Sequence, residues 1–155
     1  MRNPHTRGRR LTAAATTVVA LALVPATASA REPVKLRFEK DCPVWTCTGS
    51  LVSPGGKPIR GSSVTTESTP LWFSLDETTL HYSAVETVAS RDGRFTMRLL
   101  GVFDFAAEPD VTHVIGTVES GTWRGRDLTG AGVTARATRA FATTLRGVIR
   151  VSPAR

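Results

Sequence analysis

The chain has 155 residues, of which 41% are hydrophobic, and a formal net charge of +7. Its first 30 residues hold four arginines and no acidic residue, so residues 31–155 carry 16 basic against 13 acidic side chains, a net charge of +3. This length fits one small domain and excludes a second. The overall charge is no argument for nucleic-acid binding, and we expect no nucleic-acid partner.

The N-terminal segment has the three-part layout of a cleavable export signal. Four arginines precede an apolar run over residues 11–24, and Ala28-Ser29-Ala30 offers a small-residue cleavage site. The run is shorter than the roughly 20 residues that a membrane-spanning helix needs. Residues 1–30 are therefore predicted to be a signal peptide cleaved after Ala30, and residues 31–155 a secreted, extracellular domain. Arg9-Arg10 leaves the twin-arginine route open beside general secretion.

The mature chain alternates short period-two segments with turn residues, and this pattern predicts an all-β fold. Residues 34–39 are the clearest strand, because Val34, Leu36 and Phe38 face one way and charged side chains the other. Further strands are predicted at residues 45–53, 61–67, 71–76, 78–90, 94–105, 111–122, 132–141 and 143–151.

Residues 78–90 and 94–105 form a predicted hairpin, since Arg91-Asp92-Gly93 supplies a short Asp-Gly turn. The second arm carries the best core candidates on one face, with Gly101 interrupting the row: Phe95, Met97, Leu99, Phe103 and Phe105. Eight to nine strands with short connections favour a single antiparallel up-and-down barrel of about eight strands, with a β-sandwich as the alternative.

Residues 113–151 read HVIGTVESGTWRGRDLTGAGVTARATRAFATTLRGVIRV. The glycine and aromatic turn at Gly121-Thr122-Trp123, followed by the glycine-rich entry at residues 129–132 and a closing alternating strand, resembles the last hairpins of the allene oxide cyclase and dirigent-like barrels. Small secreted bacterial β proteins look similar here. The resemblance implies an eight-stranded barrel whose lumen admits one apolar ligand. It carries no catalytic residue across.

The two cysteines, Cys42 and Cys47, are separated by four residues, whereas the redox motif has two. Export places them in an oxidising setting, and an even count leaves no spare thiol. The sequence therefore predicts a Cys42–Cys47 disulfide that staples the end of the first strand to the second.

Three residues are candidates for luminal chemistry. Glu86 shares a strand face with Leu80, Tyr82 and Val88, and a carboxylate buried among apolar groups is suited to acid or base work. His113 shares a face with Val111, Ile115 and Thr117, so it is expected to meet the same interior. The alternative is that Glu86 and Tyr82 lie at a barrel mouth or on the wet face, or that His113 is a hydrogen-bonded core residue. No catalytic residue is assigned.

The last strands carry Arg136, Arg146 and Arg150, which indicate either an ordinary solvent face or a basic surface for an anionic cell-envelope polymer or lipid headgroup. Trp45, Trp72 and Trp123 are expected to plug a barrel end or cover the core, with a sugar-stacking surface as the alternative. The sparse histidines predict no metal site, and we expect no cofactor.

These observations favour a secreted non-enzymatic module that binds a small apolar ligand or an anionic envelope polymer. The alternative is a cyclase- or isomerase-like enzyme with a luminal acid/base site.

Overall fold

The structure, a computed structural model, describes residues 32–153. The predicted export signal lies outside these residues. Within them no helix is long and apolar enough to cross a membrane. The described chain is all-β, as predicted, with these strands: β1 (Val34–Asp41), β2 (Thr46–Val52), β3 (Ser63–Phe73), β4 (Thr79–Ser90), β5 (Gly93–Asp104), β6 (Val111–Trp123), β7 (Arg126–Asp127), β8 (Gly132–Phe141) and β9 (Thr144–Ser152).

Eight of these strands close into an antiparallel up-and-down barrel. Each strand pairs with its neighbour in the chain, β6 pairs directly with β8, and β1 pairs with β9 along its whole length to close the ring. The short strand β7 pairs only with the last residues of β6. Closure satisfies the hydrogen-bonding groups that an open sheet leaves at its edges. The predicted barrel is confirmed, and the sandwich alternative is wrong.

One strand boundary predicted from the sequence is wrong, because β3 continues through it. The predicted strands at 61–67 and 71–76 are one continuous strand, whose register shifts between Pro70 and Trp72. Because proline lacks an N–H donor, this irregularity accommodates Pro70 within the strand. Leu71 and Phe73 end the strand exposed rather than in the core.

The barrel has two different ends. The open end is defined by the β1–β2, β3–β4, β5–β6 and β8–β9 connections, and the closed end by the β2–β3, β4–β5 and β6–β8 connections. Trp123 and Leu128 are buried at the closed end, and the Phe95 ring meets the Trp123 indole edge to face with centroids 5.6 Å apart. Trp123 thus plugs one barrel end, as the sequence predicted.

Large inward side chains lie over glycines of the adjacent strand. A Cβ added at Gly101 would lie 2.2 Å from Cζ of Tyr82, its cross-strand partner, and one at Gly147 would lie 2.6 Å from Cζ of Phe38. Strand glycines mark such close approaches. Gly101 therefore interrupts the apolar row of β5 because Tyr82 fills its place.

Replacing Gly101 with alanine tests this packing. The added methyl displaces the Tyr82 ring, so we expect Gly101→Ala to lower the free energy of unfolding by about 1–3 kcal/mol in urea denaturation. Gly132→Ala is the matched control, since nothing lies within 4 Å of a Cβ there, and it should be neutral. Equal stabilities for the two variants would contradict the account.

Candidate functional site

The barrel interior is not completely filled. A cavity of about 330 Å³ occupies the half of the barrel nearest the open end. Its walls are mainly apolar, with Phe38, Leu99, Phe103 and Ile149 among the lining side chains, and its mouth is bordered by Pro43, Val44 and Trp45 of the β1–β2 connection. This lumen is the candidate functional site.

A polar cluster lies deep in the lumen. Lys40 of β1 forms an ion pair with Glu86 of β4 and donates a hydrogen bond to the Thr66 hydroxyl of β3 over 2.8 Å. The Thr66 hydroxyl in turn donates to Glu86 Oε2 over 2.7 Å. Lys40 is 8% exposed and Glu86 3% exposed. The cluster therefore joins three strands through one buried ion pair.

The backbone explains how Lys40 reaches across the barrel wall. Strand β2 lies between β1 and β3, and its residue opposite Lys40 is Gly49. A Cβ at Gly49 would lie 2.6 Å from Cβ of Lys40. Because Gly49 has no side chain, Lys40 extends over β2 to Thr66 and Glu86.

Glu86 lies inside the barrel but not as the solitary carboxylate that the sequence analysis expected. Its charge is matched by Lys40, so the pair adds no net charge to the lumen. A buried ion pair of this kind is costly to break, because removing one partner leaves the other charge buried and unpaired. The lumen thus presents a neutral polar cluster to a ligand.

Tyr82 and Thr112 form a second polar pair, which also lines the lumen. Their hydroxyls are hydrogen-bonded over 2.6 Å, and the Tyr82 ring crosses Gly101 of β5 to reach Thr112 on β6. Burial raises the pKa of the Tyr82 phenol above its ordinary value, an effect that the Thr112 hydrogen bond partly offsets and the Glu86 charge reinforces. The phenol therefore stays protonated at neutral pH and remains a hydrogen-bonding group.

The expectation that His113 meets the interior is wrong. His113 is exposed on the outer face of β6, with Ile115, whereas Thr112, Val114 and Val118 face inward. Alternation predicted the wrong face for His113 because β6 carries apolar residues on both faces. The inward-facing residues of β6 include Thr112 and Gly116, which are not apolar side chains. Tyr82 extends to Thr112 and Leu99 lies over Gly116, so the interior is covered at both positions.

Sequence reasoning missed Lys40, Thr66 and Thr112. A signal for Lys40 was present, since it continues the inward row of Val34, Leu36 and Phe38 by one more step. Thr66 pairs with Glu86 across β3 and β4, a contact that only the register reveals.

The Cys42–Cys47 disulfide is confirmed, and it lines the mouth of the lumen. It fixes the β1–β2 connection, which carries Trp45. On the same rim the Arg139 guanidinium lies 5.4 Å from the Phe103 ring centroid and 3.1 Å from an Asp110 carboxylate oxygen. The mouth is therefore held by one covalent and one ionic contact.

Arg136, Arg146 and Arg150 are exposed on the outer wall, away from the lumen. Arg146 pairs with Glu39 there. The three tryptophans do not share a surface: Trp45 lies at the mouth, Trp72 on the outer wall and Trp123 in the closed end.

No protein-family model, curated protein or solved structure matches this chain significantly. The resemblance to allene oxide cyclase and dirigent-like barrels therefore stays a prediction, and the lumen itself carries the functional argument.

The Lys40–Glu86 ion pair can be tested through the free energy of unfolding. Lys40→Met and Glu86→Leu should each lower the free energy of unfolding by about 3–5 kcal/mol, because each leaves one unpaired buried charge. The double variant should be more stable than either single one. Urea denaturation followed by circular dichroism gives the double-mutant cycle, and losses that simply add would show that the two side chains are not coupled.

The chain's one tyrosine allows a pH prediction. Folding raises the pKa of Tyr82, so its contribution to stability is complete below the unfolded value of about 10 and is lost as pH rises through the folded pKa. We expect tyrosinate absorbance to appear above pH 10 and together with alkaline unfolding. Ionisation near pH 10 in a barrel that is still folded would contradict burial of the phenol.

Proposed function

We propose that this protein is a secreted, non-enzymatic binding protein that holds a small, mostly apolar ligand inside its barrel. The observation that carries the proposal is the lumen of about 330 Å³, open at one end and lined mainly by apolar side chains. Its volume lies at the small end of the range of ligand pockets, about 300–1,000 Å³.

The polar groups of the lumen support a ligand with one uncharged polar group. Tyr82 and Thr112 offer hydroxyls that donate and accept hydrogen bonds, and the Lys40–Glu86 pair is electrically neutral. A ligand carboxylate would find no unpaired cation there. An alcohol or carbonyl on an apolar skeleton would satisfy these groups without a large desolvation cost.

The open end supports entry of an apolar molecule. Twelve large hydrophobic residues are exposed, and four of them lie away from the open end: Ile59, Val85, Leu100 and Ile115. The other eight lie in the connections or strand ends of the open end: Val44, Trp45, Leu71, Trp72, Phe73, Leu75, Phe105 and Phe141. Large exposed apolar patches usually mark interaction sites, so this end of the barrel is suited to the entry of an apolar ligand.

The disulfide supports the secreted setting, because disulfides persist in oxidising compartments and are rare in the cytosol. A staple at the lumen mouth would also keep the entrance in one conformation and so lower the entropy lost on binding.

The proposal predicts that narrowing the lumen weakens binding. Ala84 faces the lumen, whereas its neighbour Val85 faces outward. With the neutral fluorescent dye N-phenylnaphthylamine as probe, Ala84→Leu should weaken binding by about tenfold or more, because the larger side chain occupies the ligand's space. Fluorescence titration measures the affinity.

Val85→Leu is the matched control, and it should bind the dye as tightly as the unmodified protein. Thermal unfolding must show both variants folded. Equal binding by the two variants would place the dye outside the lumen and overturn the proposal.

A luminal cyclase or isomerase is the second candidate, because Glu86 and Tyr82 both line the cavity. Tyr82→Phe separates the two functions. It keeps the ring over Gly101, so a binding protein should retain its ligand with a modest loss of affinity. An enzyme that uses the phenol as proton donor would still bind its substrate and lose turnover.

A further inference from the structure

A second concave surface lies on the outer wall of the barrel and shares the wall residues Tyr82, Val114, Ala135 and Ala137 with the lumen. This outer groove has a volume of about 1,050 Å³ and is lined by residues of β1, β3, β4, β5, β6, β8 and β9. Four cationic side chains and two histidines line it, and among residues 32–153 no acidic side chain does so: Lys35, Arg136, Arg146, Arg150, His81 and His113. Such one-signed lining is typical of an anion-binding surface.

The strand register arranges these side chains in order. Trp72, His81, Val102, His113 and Arg136 are successive cross-strand partners from β3 to β8. With strands about 4.8 Å apart, the row spans roughly 19 Å. The groove therefore has an aromatic end at β3 and a cationic end at β8, and two more cations, Arg150 of β9 and Lys35 of β1, lie beside this row.

Three of the cations have no acidic partner within the described part of the chain. Lys35 and Arg150 are themselves cross-strand partners on β1 and β9, and with Arg136 they are exposed and outside every ion pair. Arg146 differs, since Glu39 neutralises it. Like charges placed directly opposite each other are destabilising. A bound anion would relieve the repulsion between Lys35 and Arg150.

The aromatic end favours a sugar over a nucleic-acid base. The Trp72 indole stacks on the His81 imidazole with centroids 3.6 Å apart, yet Trp72 remains 55% exposed. One face of the indole is covered and the other is free to stack. Single-stranded nucleic acids are usually held by several successive aromatic platforms. Here the free stacking face is that of one indole, because His81 is already stacked against Trp72 and His113 is separated from them by the aliphatic Val102.

We propose that the outer groove binds a linear anionic polysaccharide, with Lys35, Arg136 and Arg150 contacting its acidic groups and Trp72 stacking on a sugar ring. Neither these three cations nor Trp72 lines the lumen. Recognition rests on charge and apolar contact, so binding should weaken as salt rises.

The test uses polygalacturonate as the probe and the whole secreted domain as the protein, with titration calorimetry as the measurement. Removing the three groove cations together, in K35S/R136S/R150S, should weaken binding by about tenfold. R60S/R91S/R94S removes the same charge from exposed positions near the closed end, and its affinity should change much less. Trp72→Ala should weaken binding while leaving its salt dependence unchanged.

Three results would overturn the proposal. Equal losses in the two triple variants would mean that net charge alone drives binding. Neutral dextran bound as tightly as polygalacturonate would exclude a role for the cations. Oligothymidine bound more tightly than polygalacturonate would identify a nucleic-acid surface instead. Ala84→Leu, which blocks the lumen, should leave polygalacturonate binding intact and so separates this inference from the proposed function.

Discussion

The buried Lys40–Glu86 ion pair is the interaction on which the interior of this barrel depends. It connects β1 to β4 across two intervening strands, passing over Gly49 and along Thr66. In the low dielectric of a protein interior the attraction is strong, but so is the cost of removing both charges from water. The pair is therefore a weak source of net stability and a strong constraint on which strands lie opposite each other.

Packing of large side chains along the barrel wall leaves space for the cavity. Side chains that cross the barrel over glycines, such as Tyr82 over Gly101 and Phe38 over Gly147, pack along the wall rather than into the centre. Phe95, Trp123 and Leu128 are buried at the closed end. At the open end no side chain of residues 32–153 plugs the lumen in this way. The Cys42–Cys47 disulfide and the Arg139–Asp110 ion pair lie on the rim there. The proposed ligand-binding role rests on this cavity, because a barrel of eight strands is just wide enough to hold one small ligand.

Much of this fold is predictable from residue alternation. Period-two patterns and the Asp-Gly turn locate most strands, and the odd-numbered row of β5 identifies the core from Phe95 to Phe103. The spacing of Cys42 and Cys47 predicts the bridge. Alternation fails where both faces of a strand carry apolar residues, as in β6, where it placed His113 inside. It also fails for Pro70, whose effect on β3 depends on a local register shift.

The polar contacts of the lumen are harder to predict, because they depend on pairing between strands that are distant in the sequence. Lys40 and Glu86 are separated by 46 residues and Tyr82 and Thr112 by 30. The local sequence around each of these residues does not show which distant residue it contacts. The glycine opposite each long side chain is a clue that becomes readable only once the barrel register is known.

The most direct test of the account is a crystal structure of the protein with N-phenylnaphthylamine bound at saturation. We expect the dye inside the barrel, in contact with Leu99 and Phe103 and within reach of the Tyr82 hydroxyl. Dye density confined to the outer surface, with the lumen filled by protein side chains or left without dye, would contradict it.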